Sequence, residues 1–328
     1  MHSPLSPAIG LLWGFAFREG RATRVIDETA PAVFAEPHDW AWMHFTLSDH
    51  RARRFIETFT EAPPEARTLL LGNETRLQLK LGPDSAWGIL PDIERDFEGA
   101  GVDAGRLAFF LDGRHLITVR HRPLCAIDAV REEAASGIRF ATPTDALVRI
   151  VESFVETAED RLAVLTHDID RIEDRVLADR DDFDTARLGP ARRELSRHHR
   201  EFLALRGALA RAQNVRGNHA GCPLTPHLPG LTQAAEDFDR DAGALADRAR
   251  LLYEEIDTRI AATTNRSLRT LTILSTLLLP PTFIAGAFGM NLIDIPWGQS
   301  PGGFWWAMAL CAAVVAACYV FLKRFRIL

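Results

Sequence analysis

Residues 270–293 and 295–322 contain no Asp, Glu, Lys, Arg or His, and only Asp294 separates them. Each stretch is longer than the ~20 apolar residues a helix needs to cross a bilayer, and longer than a buried helix of a water-soluble protein normally runs. Two membrane spans joined by a short outer loop are therefore expected at the end of the chain. Arg266 and Arg269 precede the first stretch, and Lys323, Arg324 and Arg326 follow the second. Because basic residues stay on the cytoplasmic side, this places both termini there, in a plasma or inner membrane. Trp297, Phe304, Trp305 and Trp306 sit where an outer interfacial belt is expected.

The rest of the 328 residues reads as water-soluble. Charged residues make up 25% of the whole chain, and they are concentrated outside the two apolar stretches. The net charge of -6 argues against nucleic acid and fits a cationic partner. Residues 1–10 lack a basic segment leading into an apolar one, so no secretory signal is expected. Cys125, Cys222, Cys311 and Cys318 form no CxxC pair, and a body facing the reducing cytosol should keep them as free thiols. His219, Cys222 and His227 lie within a Gly/Pro-rich segment at spacings that allow convergence on one zinc ion; a polar hairpin tip explains the same residues.

Residues 11–17, 40–47, 77–81, 107–111 and 116–120 are short apolar runs that read as strands. Asp112-Gly113 makes the last two a hairpin, and 49–61 and 124–135 read as helices. After Thr142-Pro143-Thr144 the period changes. Leu162, Leu165, Ile169, Ile172 and Val176 form one helical stripe. A second helix, capped by Asp181, Asp182 and Asp184, repeats Leu188, Leu195, Phe202 and Leu209 every seven residues. A third repeats Leu231, Phe238, Leu245 and Leu252, with Ala235, Ala242, Ala249 and Ile256 in the alternate seam. With no proline between Leu231 and Leu279, this helix should run into the first span as one rod of about 60 residues and about 90 Å. The fold expected is an α+β/α membrane protein: an α/β domain over 1–142, a helical hairpin and stalk over 143–267, a first span over 268–291, an external loop over 292–303, and a second span with a basic tail over 304–328.

Two helices cannot enclose a water-filled path, so any conduction requires several copies around an axis. Asn265, Leu268, Thr272, Ser275, Leu279, Thr282 and Gly286 recur at three and four residues on the first span and are the candidate pore wall; interhelical hydrogen bonding without a pore would use the same stripe. Residues 270–293 have no Asp, Glu, His or Cys, so only neutral oxygens can meet an ion there, which suits a dication passing largely hydrated. Rings of Leu268, Leu271 and Leu279 are candidate dewetting gates. Pro280 and Pro281 free the carbonyls of Thr276 and Leu277 and predict a kink. Glu254, Glu255 and Asp257 are candidates for concentrating cations at the inner mouth, while Asp168, Asp170, Glu173 and Asp174 read either as cytoplasmic metal ligands or as a solvated face.

Gly289-Met290-Asn291, preceded by Leu279-Pro280-Pro281-Thr282-Phe283-Ile284-Ala285-Gly286-Ala287-Phe288, resembles the CorA family of divalent metal ion transporters, whose mark is GMN after the first of two C-terminal spans. The resemblance covers the whole chain. It implies a homopentamer in membrane lipid, with the first span lining the pore and Gly289, Met290 and Asn291 at the outer ion entrance. Thr282 would lie further in, and Leu279, Leu271, Leu268 and Asn265 toward the cytoplasm. Asn73-Glu74-Thr75-Arg76, Asp112-Gly113-Arg114 through Arg122, and Asn291-Leu292 followed by Ile295-Pro296 make it similar to the ZntB-type zinc branch. Pro281 departs from the single proline expected there. The expected cargo is zinc, with a magnesium, cobalt or nickel channel of the same fold as the alternative and a membrane-tethered signalling protein as the reading from another class. No P-loop, nucleophile elbow or dinucleotide fingerprint occurs, so neither an enzyme nor a resident cofactor is expected.

Overall fold

The apolar and aromatic runs between Leu11 and Arg120 pair into one sheet. The computed structural model describes residues 8–27, 29–95, 104–178, 185–214, 221–290 and 302–324. In it, β1 (Leu11–Arg18), β2 (Arg21–Val25), β3 (Trp40–Thr46), β4 (Gln78–Leu81), β5 (Ala86–Ile93), β6 (Ala104–Leu111) and β7 (His115–Arg120) form a seven-stranded sheet in the order β2-β1-β3-β7-β6-β5-β4. All neighbours are antiparallel except β3 and β7, which run parallel through α2 (His50–Thr58), α3 (Pro64–Leu71) and the intervening strands. β3 and β5 are buried at almost every position rather than at alternate ones, as expected of strands covered on both faces. Phe17 stacks on Trp40 at 3.7 Å, and Trp13 meets Trp42 edge-on at 4.9 Å. The indole nitrogen of Trp42 donates to the Thr118 hydroxyl at 3.0 Å, so this deep ring leaves no orphan donor.

The β6–β7 hairpin turns where Asp112-Gly113 places it: the Asp112 carboxylate accepts from the backbone nitrogens of Arg114 (2.6 Å) and His115 (2.7 Å). The helix expected over 49–61 is α2, capped by Asp49, whose side chain accepts from the Arg51 amide. Two strands had no reading in the sequence. β2 is a mostly exposed polar edge strand, and β5 carries Gly88, Pro91 and Asp92, which break an apolar strand pattern. Asp92 is buried and accepts from the Ala126 (2.9 Å) and Ile127 (3.2 Å) amides in the first turn of α4 (Cys125–Ala135). Burial pushes its carboxyl up to about 6, against those amide hydrogen bonds and with the Asp128 charge adding to the rise.

The chain then becomes helical. Thr142 and Asp145 form a reciprocal capping box that starts α5 (Pro143–Leu177) at the proline, where a missing N–H costs nothing. α6 (Thr185–Gln213) and α7 (Leu228–Phe288) follow, with a 3-10 turn at Thr225–His227 just ahead of α7. The seam predicted by the heptads is the packed one: Leu195, Phe202, Leu209, Leu231, Ala235, Phe238, Leu245, Ala242 and Ala249 are all buried. Phe202 lies between Phe154 of α5 (5.0 Å) and Phe238 of α7 (3.7 Å), so three helices share this core. Asp181, Asp182 and Asp184 lie outside the described residues, as does the side chain of Leu188.

The chain divides into two compact units, Met1–Arg250 and Leu251–Leu328, a boundary that falls inside the stretch 143–267 expected as hairpin and stalk. The second unit holds the end of α7 and α8 (Gly303–Arg324). α7 is one helix of 61 residues, matching the uninterrupted rod expected from the absence of proline, and it remains helical through Pro280 and Pro281. Both α7 and α8 are long and apolar enough to cross a membrane, and their apolar windows are exposed rather than buried in the protein. Leu279, Phe283, Phe304 and Trp305 are between 67% and 77% exposed, an arrangement that suits lipid or further copies of the chain and not water. All four cysteines are free thiols.

Candidate functional site

Within the second unit, α7 has two unlike faces. Ile273, Leu277, Pro280, Pro281, Ile284 and Phe288 are half-buried and recur at three and four residues, and on this face the Cys311 thiol of α8 approaches the Pro281 carbonyl at 3.8 Å. At 3.6 residues per turn, Leu268, Leu271, Thr272, Ser275, Leu279, Thr282 and Gly286 all fall within about 50° of the opposite direction. Among these, all but Ser275 are exposed. The predicted polar stripe is thus the face of α7 turned away from α8. Asn265, Glu254 and Asp257 are exposed on the same helix, and extending the same periodicity puts all three toward that side.

The hydroxyls on this helix have a defined polarity. Thr272 donates to the Leu268 carbonyl at 2.8 Å and Thr282 to the Leu278 carbonyl at 2.7 Å. With the proton committed to the helix's own backbone, each oxygen turns its lone pairs outward, as a cation or the oxygen-bound hydrogens of its water shell require. Leu279 lies between them and Leu268 and Leu271 precede Thr272, so the face carries both acceptors and apolar side chains.

At the end of α7, Gly289 closes the helix by donating to the carbonyls of Ala285 (2.9 Å) and Gly286 (3.2 Å), and Met290 donates to Ala287 at 3.3 Å. Met290 is exposed. Asn291 and Trp297 lie outside the described residues. A side chain at Gly286 would meet nothing within 4 Å, so the single chain gives no packing reason for a glycine there.

The three residues read as a zinc possibility are dispersed in role. Cys222 is buried and its thiol donates to the Ser85 carbonyl at 3.3 Å, while His227 ends the 3-10 turn and His219 lies outside the described residues. Of the α5 acids, Asp170 (2.8 Å) and Glu173 are engaged by Arg248 of α7. Sequence reasoning did not find this clasp, because nothing in the local pattern ties residue 248 to residues seventy-five positions earlier. Among the described residues no group of three or more His, Cys, Asp or Glu converges as a metal site.

A family model described as CorA-like Mg2+ transporter protein matches residues 37–324. The divalent cation transporter CmaX of Pseudomonas aeruginosa is 24% identical over 97% of this chain and 96% of its own length. The zinc transport protein ZntB of Pectobacterium carotovorum subsp. carotovorum is 25% identical over 86% of each. Among solved structures, full-length CmaX superposes with a TM-score of 0.80 at 23% identity, covering 98% of this chain and 99% of that one. The CorA magnesium transporter of Methanocaldococcus jannaschii does so with a TM-score of 0.72 at 16% identity, covering 95% and 97%. These structural likenesses establish a shared fold, and the family match spans most of the chain: it belongs to the CorA-like Mg2+ transporter family.

Proposed function

We propose that this chain is a divalent cation transporter that works as a homopentamer, with α7 of each copy lining a central path and zinc as the principal cargo. The observation that carries the reading is the placement of the polar stripe opposite the α8-covered face. A face bearing Thr272, Ser275 and Thr282 at membrane depth needs either water or a neighbouring helix. Closed rotational symmetry around that face supplies both. Gly286 supports the same arrangement: glycine costs an exposed helix about 1 kcal/mol relative to alanine, and a close approach between copies is a use for it that the single chain lacks.

Along the path, Gly289, Met290 and Asn291 form the outer entrance, Thr282 the first ring of oxygens, and Leu279, Leu271 and Leu268 apolar constrictions that open by wetting. Glu254 and Asp257 raise the cation concentration at the inner mouth through their field. The neutral stripe has no group that replaces a full hydration shell, so the ion crosses with much of its water. The basic ends at Arg266, Arg269, Lys323 and Arg324 support cytoplasmic termini in an inner or plasma membrane. The names of the relatives favour zinc through ZntB, and they include magnesium through CorA and an unspecified divalent cation through CmaX.

The test is uptake into proteoliposomes containing a metal-sensitive dye, zinc against magnesium, with and without a pH gradient, for the wild type, Asn291→Ala and Thr282→Leu. Zinc entry that both substitutions reduce is expected. Magnesium entry alone moves the cargo to the alternative branch. Flux of neither ion, or flux indifferent to both substitutions, refutes a path along α7.

A further inference from the structure

Far from the α7 stripe in sequence, the first unit contains a cavity of about 230 Å³ lined by Phe34, Phe55 and Phe59 together with His38, Met43 and His115. The parallel pairing of β3 with β7 sets His115 beside Ala41, and strand alternation brings Met43 onto the same side as Ala41. His38 enters from the segment just ahead of β3.

The hydrogen bonds fix how both imidazoles are protonated when neutral. His38 Nδ1 lies 2.8 Å from the Glu36 carbonyl oxygen, which can only accept, so the proton is on Nδ1. His115 Nδ1 lies 3.1 and 3.2 Å from the two Asp112 carboxylate oxygens, with the same consequence. Each ring therefore keeps an unprotonated Nε2, and neither Nε2 has a hydrogen-bond partner among the described residues. The edge of Phe59 against the His115 ring, at 5.3 Å and 86°, holds that ring in place. A histidine whose Nδ1–H is anchored by a carbonyl or carboxylate while Nε2 stays free is the arrangement metal-ligating imidazoles adopt.

We propose that His38, Met43 and His115 form a binding site for a soft monovalent cation, copper(I), separate from the transport path. Two neutral imidazoles and a thioether are soft donors that suit copper(I). A zinc site would call for four ligands drawn mainly from thiolate, imidazole and carboxylate, and no cluster of that kind exists among the described residues. Hard dications would have to keep their water, which an aromatic wall repels. Asp112, paired with His115 at 3.1 Å, balances a single positive charge through that ring.

The experiment uses the purified full-length chain in detergent under anaerobic conditions, with copper(I) delivered from its bathocuproine disulfonate complex. Copper X-ray absorption identifies the ligand atoms, because the four cysteines also attract this ion. The expected result is one copper per chain with imidazole nitrogen and thioether sulfur around it, and a copper-dependent rise in melting temperature. Affinity should fall about 10- to 100-fold in Asp112→Asn, and at least as much in His38→Gln and Met43→Leu, with zinc uptake unchanged in His38→Gln. His38 precedes the strand and Leu conserves the volume of Met, so these two variants test the site without relying on a disrupted fold. Copper held only by thiolate sulfur, equal copper affinity in wild type and His38→Gln, or zinc displacing copper at equal concentration overturns the proposal.

Discussion

Replacing Asp92 with asparagine should stabilise the first unit at neutral pH, although it alters a carboxylate that caps a helix. Two opposing effects act on this group. The amides of Ile93, Ala126 and Ile127 donate to it and favour the charged form, whereas near-complete burial and the neighbouring Asp128 charge favour the neutral one. Burial wins, and the carboxyl rises to about 6 from an ordinary 3.8. In the sign of the linkage, the folded state holds this proton more tightly than the unfolded state between about pH 4 and 6, so stability falls as pH rises through that window. A rise of about two pH units corresponds to about 3 kcal/mol, all of it lost above pH 6. Asparagine matches the protonated carboxyl in shape and has no charge to desolvate. The two proteins should therefore unfold at similar denaturant midpoints near pH 3, below both pKa values, and Asp92→Asn should pull ahead by up to about 3 kcal/mol by pH 7. Intrinsic tryptophan fluorescence of the full-length chain in detergent follows the transition, since Trp13, Trp40, Trp42 and Trp87 lie in the sheet. A wild type that is more stable than Asp92→Asn at pH 7 and loses that advantage on acidification would show an ionised, stabilising carboxylate and refute the reasoning.

Three further outcomes are expected. Phe202→Ala removes the middle ring of a three-helix aromatic stack and should cost about 3–5 kcal/mol, measured as a lower denaturant midpoint. Gly286→Ala should favour the helix of a single chain by up to about 1 kcal/mol while reducing both the cross-linked pentamer fraction and zinc uptake; unchanged assembly would show that no close approach uses that glycine. Reversing Glu254 and Asp257 together to lysine should lower zinc flux most at low ionic strength, and flux independent of the reversal and of salt would remove their field from the mechanism.

Legibility of the fold tracked how strongly one period dominated a segment. The α5 to α7 seams repeat over several turns, so Leu195, Phe202, Ala242 and Leu245 could be assigned to the core from spacing alone. β3 was legible because its aromatic content marks a strand even without alternation. β2 and β5 were not. A polar edge strand is held by its pairing with β1, and β5 owes its position to flanking strands that tolerate Pro91 opposite Arg106. α3 begins at Pro64 after Pro63, a pair that reads as a loop until the following alanine and leucines are seen to pack.

The same distinction separates the parts of the candidate site. The α7 stripe is a local property of one helix: its polar and small residues share a face by helical period, and the added information from the structure is only that α8 takes the other face. The Arg248 clasp on Asp170 and Glu173 is not local, because it needs two helices brought side by side by seams that say nothing about the charges outside them. The consequence bears on regulation. Acids on α5 that would suit a cytoplasmic cation already have a cation from within the chain, so a metal acting there must compete with a tethered guanidinium at high effective concentration. His38 and His115 are less legible still, seventy-seven positions apart and brought together by the parallel register of β3 and β7, a pairing that no hairpin turn announces.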